Sequence, residues 1–412
     1  MSAALARIPA HVPASLVVDF DYIRPPGHEE DVHLAWSRLH AGPDIVWTPH
    51  YGGHWIATRA EDIDVMQVDH ERFSYRHITI PPQQDRTARL NPLEYDPPEH
   101  TPRRAIISPA FGPKAMQGLE ADVRALAIEL IEGFRARGEC EFIGEFAKHL
   151  PIQIFLRLVD LPLTDREHLL ELTELTVRPK SPDDQVRAFQ GLYAYVQKWI
   201  IERRAHPGND LFSKIVNAKV NGEDMPPDQT FGMLSNVLFG GLDTVASSLG
   251  FFAKFLAENP DMQRELKAKP ELIVPAIEEI LRRFGIPNTA REITRDFEYK
   301  GVQFSRGEQV MLSKTLHGLD ETRFPEPFTV DFSRKRSPHA AFGDGAHRCP
   351  GSFLARMEIR VWLEEGLKRI PEFRVRTGAR PRTSSGPVNG VLHLPLSWNV
   401  PGGSAISGSR SA

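Results

Sequence analysis

The chain has 412 residues, of which 25% are charged and 41% hydrophobic, and a formal net charge of −4. That length allows a large core or more than one domain, and that charge gives no global basic field for nucleic acid. Two cysteines, Cys140 and Cys349, argue against a disulfide scaffold and fit a reducing compartment.

From Met1 to Phe20 the chain carries Pro9 and Pro13 and no long apolar run. No signal peptide or membrane anchor is expected there, and a cytoplasmic location follows as an expectation. Residues 47–58, aromatic and interrupted by Gly52 and Gly53, read as a small sheet. Apolar residues at three and four spacing predict helices over 123–134 and 188–204. A longer helix is expected from about Pro227 to Asn259, before Pro260, spanning on the order of 45–50 Å at 1.5 Å per residue. Further helices are expected over 276–284 and 353–367, with small sheets over 297–311 and 388–398. The Gly/Ser-rich end, 402–412, lacks apolar residues to pack and is expected to be disordered. No repeat is apparent, and the fold class is mainly α with small β-sheets.

The long helix contains Gly240-Gly241, each costing roughly 1 kcal/mol relative to alanine. Two readings offset that cost: close packing against another helix, or a flat ligand lying against the missing side chains. Asp243 and Thr244 follow at once and set an acid beside an alcohol. Earlier, Asp96-Pro97-Pro98-Glu99-His100 ends a loop, and His100 and Arg104 then share one helical face at i and i+4. Glu279 and Arg282 stand at i and i+3, which on an exposed surface is worth only a few tenths of ~1 kcal/mol.

The run from Phe342 to Gly351 places Cys349 at a glycine-rich approach to a helix N-terminus. Helix dipole and free backbone N–H groups favour a thiolate there, and donors to the sulfur would tune a bound iron. Gly345 and Gly351 permit the close backbone approach. An isolated cysteine is most often a small buried hydrophobe. A cysteine-nucleophile hydrolase would need a basic histidine beside Cys349; His347 is two residues away, and no oriented third partner is evident.

Phe342, Gly345, Cys349 and Gly351 reproduce the Phe-x-x-Gly-x-x-x-Cys-x-Gly signature of the cytochrome P450 superfamily, the haem-thiolate monooxygenases. Together with the other motifs, in the same order, the chain resembles that superfamily and within it most resembles the bacterial camphor 5-monooxygenase family. The likeness runs from Pro9-Ala10-His11-Val12-Pro13 and residues 52–59 through 278–284 to Val330-Asp331-Phe332-Ser333-Arg334. It implies one domain over 1–401, a triangular helical prism holding haem b between a long distal helix and the cysteine loop.

By that resemblance Cys349 is the iron ligand, with Phe342, Gly345 and Gly351 shaping its loop. Asp243 relays protons and Thr244 orients dioxygen and water, serving O–O cleavage in a pocket that excludes bulk water. His100, Arg104, Arg291 and His347 meet the two haem propionates, which require cationic donors. Glu279, Arg282 and Arg334 form a buried structural group, and Arg178 pairs with Asp243. The resemblance further implies O2 and two electrons from a [2Fe-2S] ferredoxin reduced by an NAD(P)H-dependent flavoprotein, with no nucleic-acid or membrane partner. Arg103, Arg104 and Arg356 are expected to form a basic docking patch for it.

At the position where the camphor enzyme has a donor tyrosine, this chain has Ala88. Thr79 and Leu90 stand where that relative has aromatic rings, and Leu93 replaces a polar residue. Phe239 adds bulk near Gly240, and Val177, Asn236, Pro287 and Val388 complete the expected substrate pocket. Such a pocket is apolar with one amide and suits a monoterpenoid or a norisoprenoid such as an ionone better than camphor, with Asn236 as a replacement donor. A peroxygenase on the same fold is the alternative, although such enzymes usually replace the acid-alcohol pair. A non-catalytic haem-binding protein would have no use for distal proton delivery.

Overall fold

The computed structural model describes residues 5–82, 88–177, 181–334 and 338–400. The four helices expected from apolar spacing form, each longer than its apolar repeat. Pro113–Arg135 begins on a first-turn proline and buries Val123, Leu126, Ala127, Ile131 and Phe134, one stripe at three and four spacing. That stripe lies along Ser352–Arg369, whose Ile359, Val361, Trp362 and Leu363 are buried. Each such side chain contributes roughly 1.5–3 kcal/mol by leaving water.

Two apolar cores result. One gathers the sheet strands with the helices that carry Phe134, Phe252, Ile280 and Trp362; the other joins Pro182–Ala205, Leu211–Val216 and Pro227–Leu242. His149–Leu158 serves both, sending Leu150 and Ile154 into the first and Ile152, Phe155 and Leu156 into the second.

The main sheet orders its strands Ile45–Thr48, His54–Ala57, Gln309–Ser313, Asn288–Ile293 and Phe73–Ser74. Its one parallel pairing sets Val310 beside Trp55; the others are antiparallel. Asn288–Ile293 was not legible as a strand, because Asn288, Thr289, Arg291 and Glu292 leave no apolar alternation. A three-stranded sheet pairs Pro395–Trp398 with Phe373–Val375 and Glu139–Glu141.

The expected single long helix is two, Pro227–Leu242 and Thr244–Glu258. They meet at Asp243, whose φ of −118° and ψ of −29° interrupt the ladder. The cause is local: two glycines stiffen nothing, and Thr244 Oγ1 donates to the Gly240 carbonyl at 3.0 Å, a side-chain bond that bends helices. Among the described residues no helix is long and apolar enough to cross a membrane.

Candidate active site

The cysteine loop turns on two left-handed glycines, Gly343 at φ +67° and Gly345 at φ +64°. A Cβ on Gly345 would also stand 3.1 Å from Val68 Cγ1, so that position is closed sterically as well. The loop closes when Cys349 N–H donates to the Phe342 carbonyl at 2.9 Å. Gly351 then caps Ser352–Arg369. Crowding around Cys349 pushes its thiol up, while the Gly351 N–H bonded to the sulfur and the charges of Arg104 and Arg356 pull it down. Those three are the stabilisers a thiolate needs.

Arg356 covers the Phe342 ring at 4.4 Å and holds Glu278 through two bonds of 2.6 and 2.8 Å. Burial opposes the Glu278 charge, yet Arg356 and His339 outweigh it and hold the carboxyl down at about 2. Beside it the structure brings Glu279, Arg282 and Arg334 together. Arg282 grips both Glu279 oxygens at 2.9 and 2.8 Å, and Arg334 Nε reaches Glu279 Oε1 at 2.9 Å. Arg282 is 2% exposed, so this is no surface pair. The two guanidinium groups also bond the carbonyls of Gly318, Pro325, Pro327 and Thr329, tying the chain before the cysteine loop to Ile273–Arg283.

A cluster of two arginines and two histidines lies at the other side of the loop. Arg104 Nη2 donates to the Arg348 carbonyl at 2.5 Å, and His347 Nε2 to the Tyr95 carbonyl at 2.8 Å. His347 stacks on Tyr75 at 3.5 Å, Arg291 lies 3.5 Å from the same ring, and His100 is 4.1 Å from His347. Burial and Arg104 push His100 down to about 4, and burial and His100 push His347 down to about 3. Among the described residues Arg291, 3% exposed, bonds only Ala290 O and Thr289 Oγ1 and its Nε finds no partner; the buried His100 Nε2 finds none there either. Buried donors without counter-charge are costly, and the two propionates of a haem supply the missing acceptors. The residues present therefore fit that group. Tyr75, which organises the cluster, carries no motif and was not legible in the sequence.

Across from the loop, Gly240 has no atom within 4 Å of where a Cβ would stand, whereas a Cβ on Gly241 would overlap the Phe155 ring. Gly241 thus permits close helix packing, and Gly240 leaves an open face. Asp243 is buried, and Ser247 Oγ donates to its Oδ2 at 3.3 Å. Ser247 went unremarked in the sequence because a serine at that spacing is ordinary in a helix. Arg178, expected to pair with Asp243, lies outside the described residues.

The expected pocket residues fall into two groups. Ala88 and Phe239 pack against the second core, and Leu90 N–H donates to Glu94 Oε2 at 2.8 Å. Leu93, half-buried, follows the buried Asn91-Pro92. Asn236 donates its amide to the Asn91 carbonyl at 3.2 Å, and Asn91 donates to the Gln229 carbonyl at 3.2 Å. On the other side Pro287 bridges Val388, and the Thr79 carbonyl accepts from Gln309 at 2.9 Å. The side chain of Val177, which ends Arg166–Val177, lies outside the described residues.

The expected basic patch does not assemble. Arg103 turns to Tyr95, 4.4 Å from its ring, and to Gln229 Oε1 at 3.0 Å, while Arg356 is neutralised by Glu278. An aromatic face and a carboxylate outcompete water for these two cations.

A family model described as cytochrome P450 matches residues 268–397. The chain is 32% identical over 401 residues to a probable cytochrome P450 127A1 of Sinorhizobium fredii, covering 95% of this chain and 97% of that one. It is 30% identical to a steroid C26-monooxygenase of Mycolicibacterium smegmatis, covering 87% and 86%. Among solved structures it is similar to cytochrome P450 CYP101C1, with 39% identity, a TM-score of 0.88 and coverage of 96% and 100%. CYP101J2 gives 38% identity, the same TM-score and the same coverage. With the cysteine loop, the cationic edge and the open glycine face on one mainly helical scaffold, the chain belongs to the cytochrome P450 family, haem b-dependent monooxygenases that use O2 and a redox partner.

Proposed function

We propose that this protein hydroxylates a small hydrophobic terpenoid, a monoterpenoid or a norisoprenoid such as an ionone, as a single domain over residues 1–401 in the cytoplasm. Its electrons come from a [2Fe-2S] ferredoxin reduced by an NAD(P)H-dependent flavoprotein. Bound haem supplies a thiolate-ligated iron at which O2 is reductively cleaved and one oxygen is inserted into a C–H bond. Cys349 would hold the iron; burial raises its thiol, and the Gly351 N–H, Arg104 and Arg356 oppose that rise. Arg291, His100, Arg104 and His347 hold the propionates. Thr244 presents its hydroxyl one turn beyond the open Gly240, and Asp243, steadied by Ser247, passes protons toward it.

The observation that carries the substrate class is that Ala88 and Phe239 both pack against one apolar cluster. No hydroxyl stands at Ala88, and the Asn236 amide is already directed to Asn91. A site without a fixed donor selects by shape. One neutral hydrogen bond is worth about 0.5–1.5 kcal/mol, so camphor should lose roughly 2- to 13-fold in affinity on that account alone. Difference spectra with a terpenoid panel test this, since displacing the iron's water shifts the haem band. An ionone or monoterpene should outbind camphor, and Ala88→Tyr should narrow the gap. Tight camphor binding with a single hydroxylated product would overturn the reading.

A further inference from the structure

Lys314 opens the short helix Lys314–Gly318 and is 5% exposed. An ammonium carries three donors and a full charge, and burying one without a counter-charge is costly. Lys314 Nζ has one neutral acceptor, Gln67 Oε1 at 2.7 Å. The acids in its vicinity are engaged or exposed: Asp64 takes His317 at 2.9 Å and Arg323 at 3.6 Å, and Asp344 faces solvent. Among the described residues no carboxylate forms an ion pair with it.

Its surroundings lead to the cationic edge. The Gln67 carbonyl accepts the Tyr75 hydroxyl at 2.9 Å, and the Tyr75 ring carries both Arg291 and His347. Two buried basic side chains, Lys314 and Arg291, thus share one wall, and among the described residues no carboxylate bonds to either. Burial and Arg291 push the ammonium down to about 7, while Asp64 and Asp344 pull it up.

We infer that Lys314 is a positioning residue of the propionate cradle, a buried positive charge that strengthens haem retention and raises the haem reduction potential. This rests on the reading that Arg291 and His347 meet the propionates. The physical ground is that a positive charge in a low-dielectric wall favours the form of the haem with one more electron.

The test is a dye-coupled redox titration of the holoenzyme with Lys314→Met, Lys314→Gln and Arg291→Gln, alongside haem transfer to an acceptor apoprotein. Replacing a buried charge by an apolar chain of similar length is often neutral or stabilising, so Lys314→Met should fold. Both Lys314 variants should favour the oxidised form about tenfold, ~59 mV for one electron, and release haem several-fold faster. Their difference from the native protein should close as pH rises and the native ammonium loses its proton. His100, His317, His347, Asp64, Asp344 and, in the Lys314 variants, Arg291 are the other ionisable groups around this wall and are common to the proteins compared. If Arg291→Gln shifts potential and release while the Lys314 variants shift neither, the inference fails and the propionate reading stands. If none shifts them, both fall. A changed unfolding midpoint with an unchanged potential marks Lys314 as structural only and also overturns the inference.

Discussion

Gly241 lies flush against the ring of Phe155, so close that a Cβ there would overlap it, while the preceding Gly240 faces open space. Gly241→Ala should therefore overpack the contact and cost about 1–3 kcal/mol. Gly240→Ala should gain about 1 kcal/mol of helix propensity and disturb the haem band instead. Urea midpoints and absorption spectra of the two variants separate the effects; equal destabilisation by both would contradict the geometry.

Asp243 and Thr244 stand at the break between two helices, with Asp243 as the junction between Pro227–Leu242 and Thr244–Glu258. Asp243→Asn should slow O2-dependent turnover by on the order of 100-fold, within the range for a positioned proton donor, with haem content and substrate binding intact. Thr244→Ala should divert electrons to hydrogen peroxide. Oxygen and peroxide electrodes run side by side check this, and unchanged rate and coupling in both variants would refute the relay.

Glu279→Gln removes the charge that Arg282 and Arg334 share, leaving both guanidinium groups with carbonyls alone. Breaking a buried pair on one side typically costs about 3–5 kcal/mol. Because these bonds tether the chain leading to the cysteine loop, haem content on purification should fall with stability. A variant that keeps full haem and an unchanged urea midpoint would show the group to be dispensable.

Glu358 lies on the inner face of Ser352–Arg369 at 1% exposure, its Oε2 has no partner among the described residues, and burial pushes its carboxyl up to about 8. The folded chain then holds this proton up to about pH 8, while the unfolded chain releases it near its ordinary value of 4.5. Stability from this group is full below that ordinary value and is lost as pH rises toward 8, at up to about 1.4 kcal/mol per pH unit. Glu358→Gln should flatten that slope. Unfolding midpoints from pH 5 to 8 that decline equally in both proteins would exclude Glu358 as the cause.

What was legible in the sequence was whatever a fixed spacing encodes. Cys349 stands out by the glycines around it, and Glu279 and Arg282 by their separation. The four helices read from apolar periodicity all form, because burial of one stripe needs no distant partner to be specified. Contacts between remote segments were not legible. Arg103 and Arg356 look like free surface cations until Tyr95, Gln229 and Glu278 arrive from elsewhere in the chain. Tyr75, Gln67 and Lys314 carry no pattern at all, since a side chain's burial is decided by the whole fold. The break at Asp243 was hidden for the opposite reason: glycine tolerance and a side-chain bond to Gly240 outweigh a strong helical repeat.

The stretch just after Ala88 is held by contacts that do not involve the Ala88 side chain. A Cβ on Gly232 would overlap the Arg89 carbonyl, Asn91 reaches the Gln229 carbonyl, and Asn236 reaches back to Asn91. None of these bonds involves the side chain at position 88. A single-codon change there can therefore rewrite what a guest molecule touches while the frame behind it stays put. Selectivity in this protein can drift, or be engineered, without renegotiating the fold.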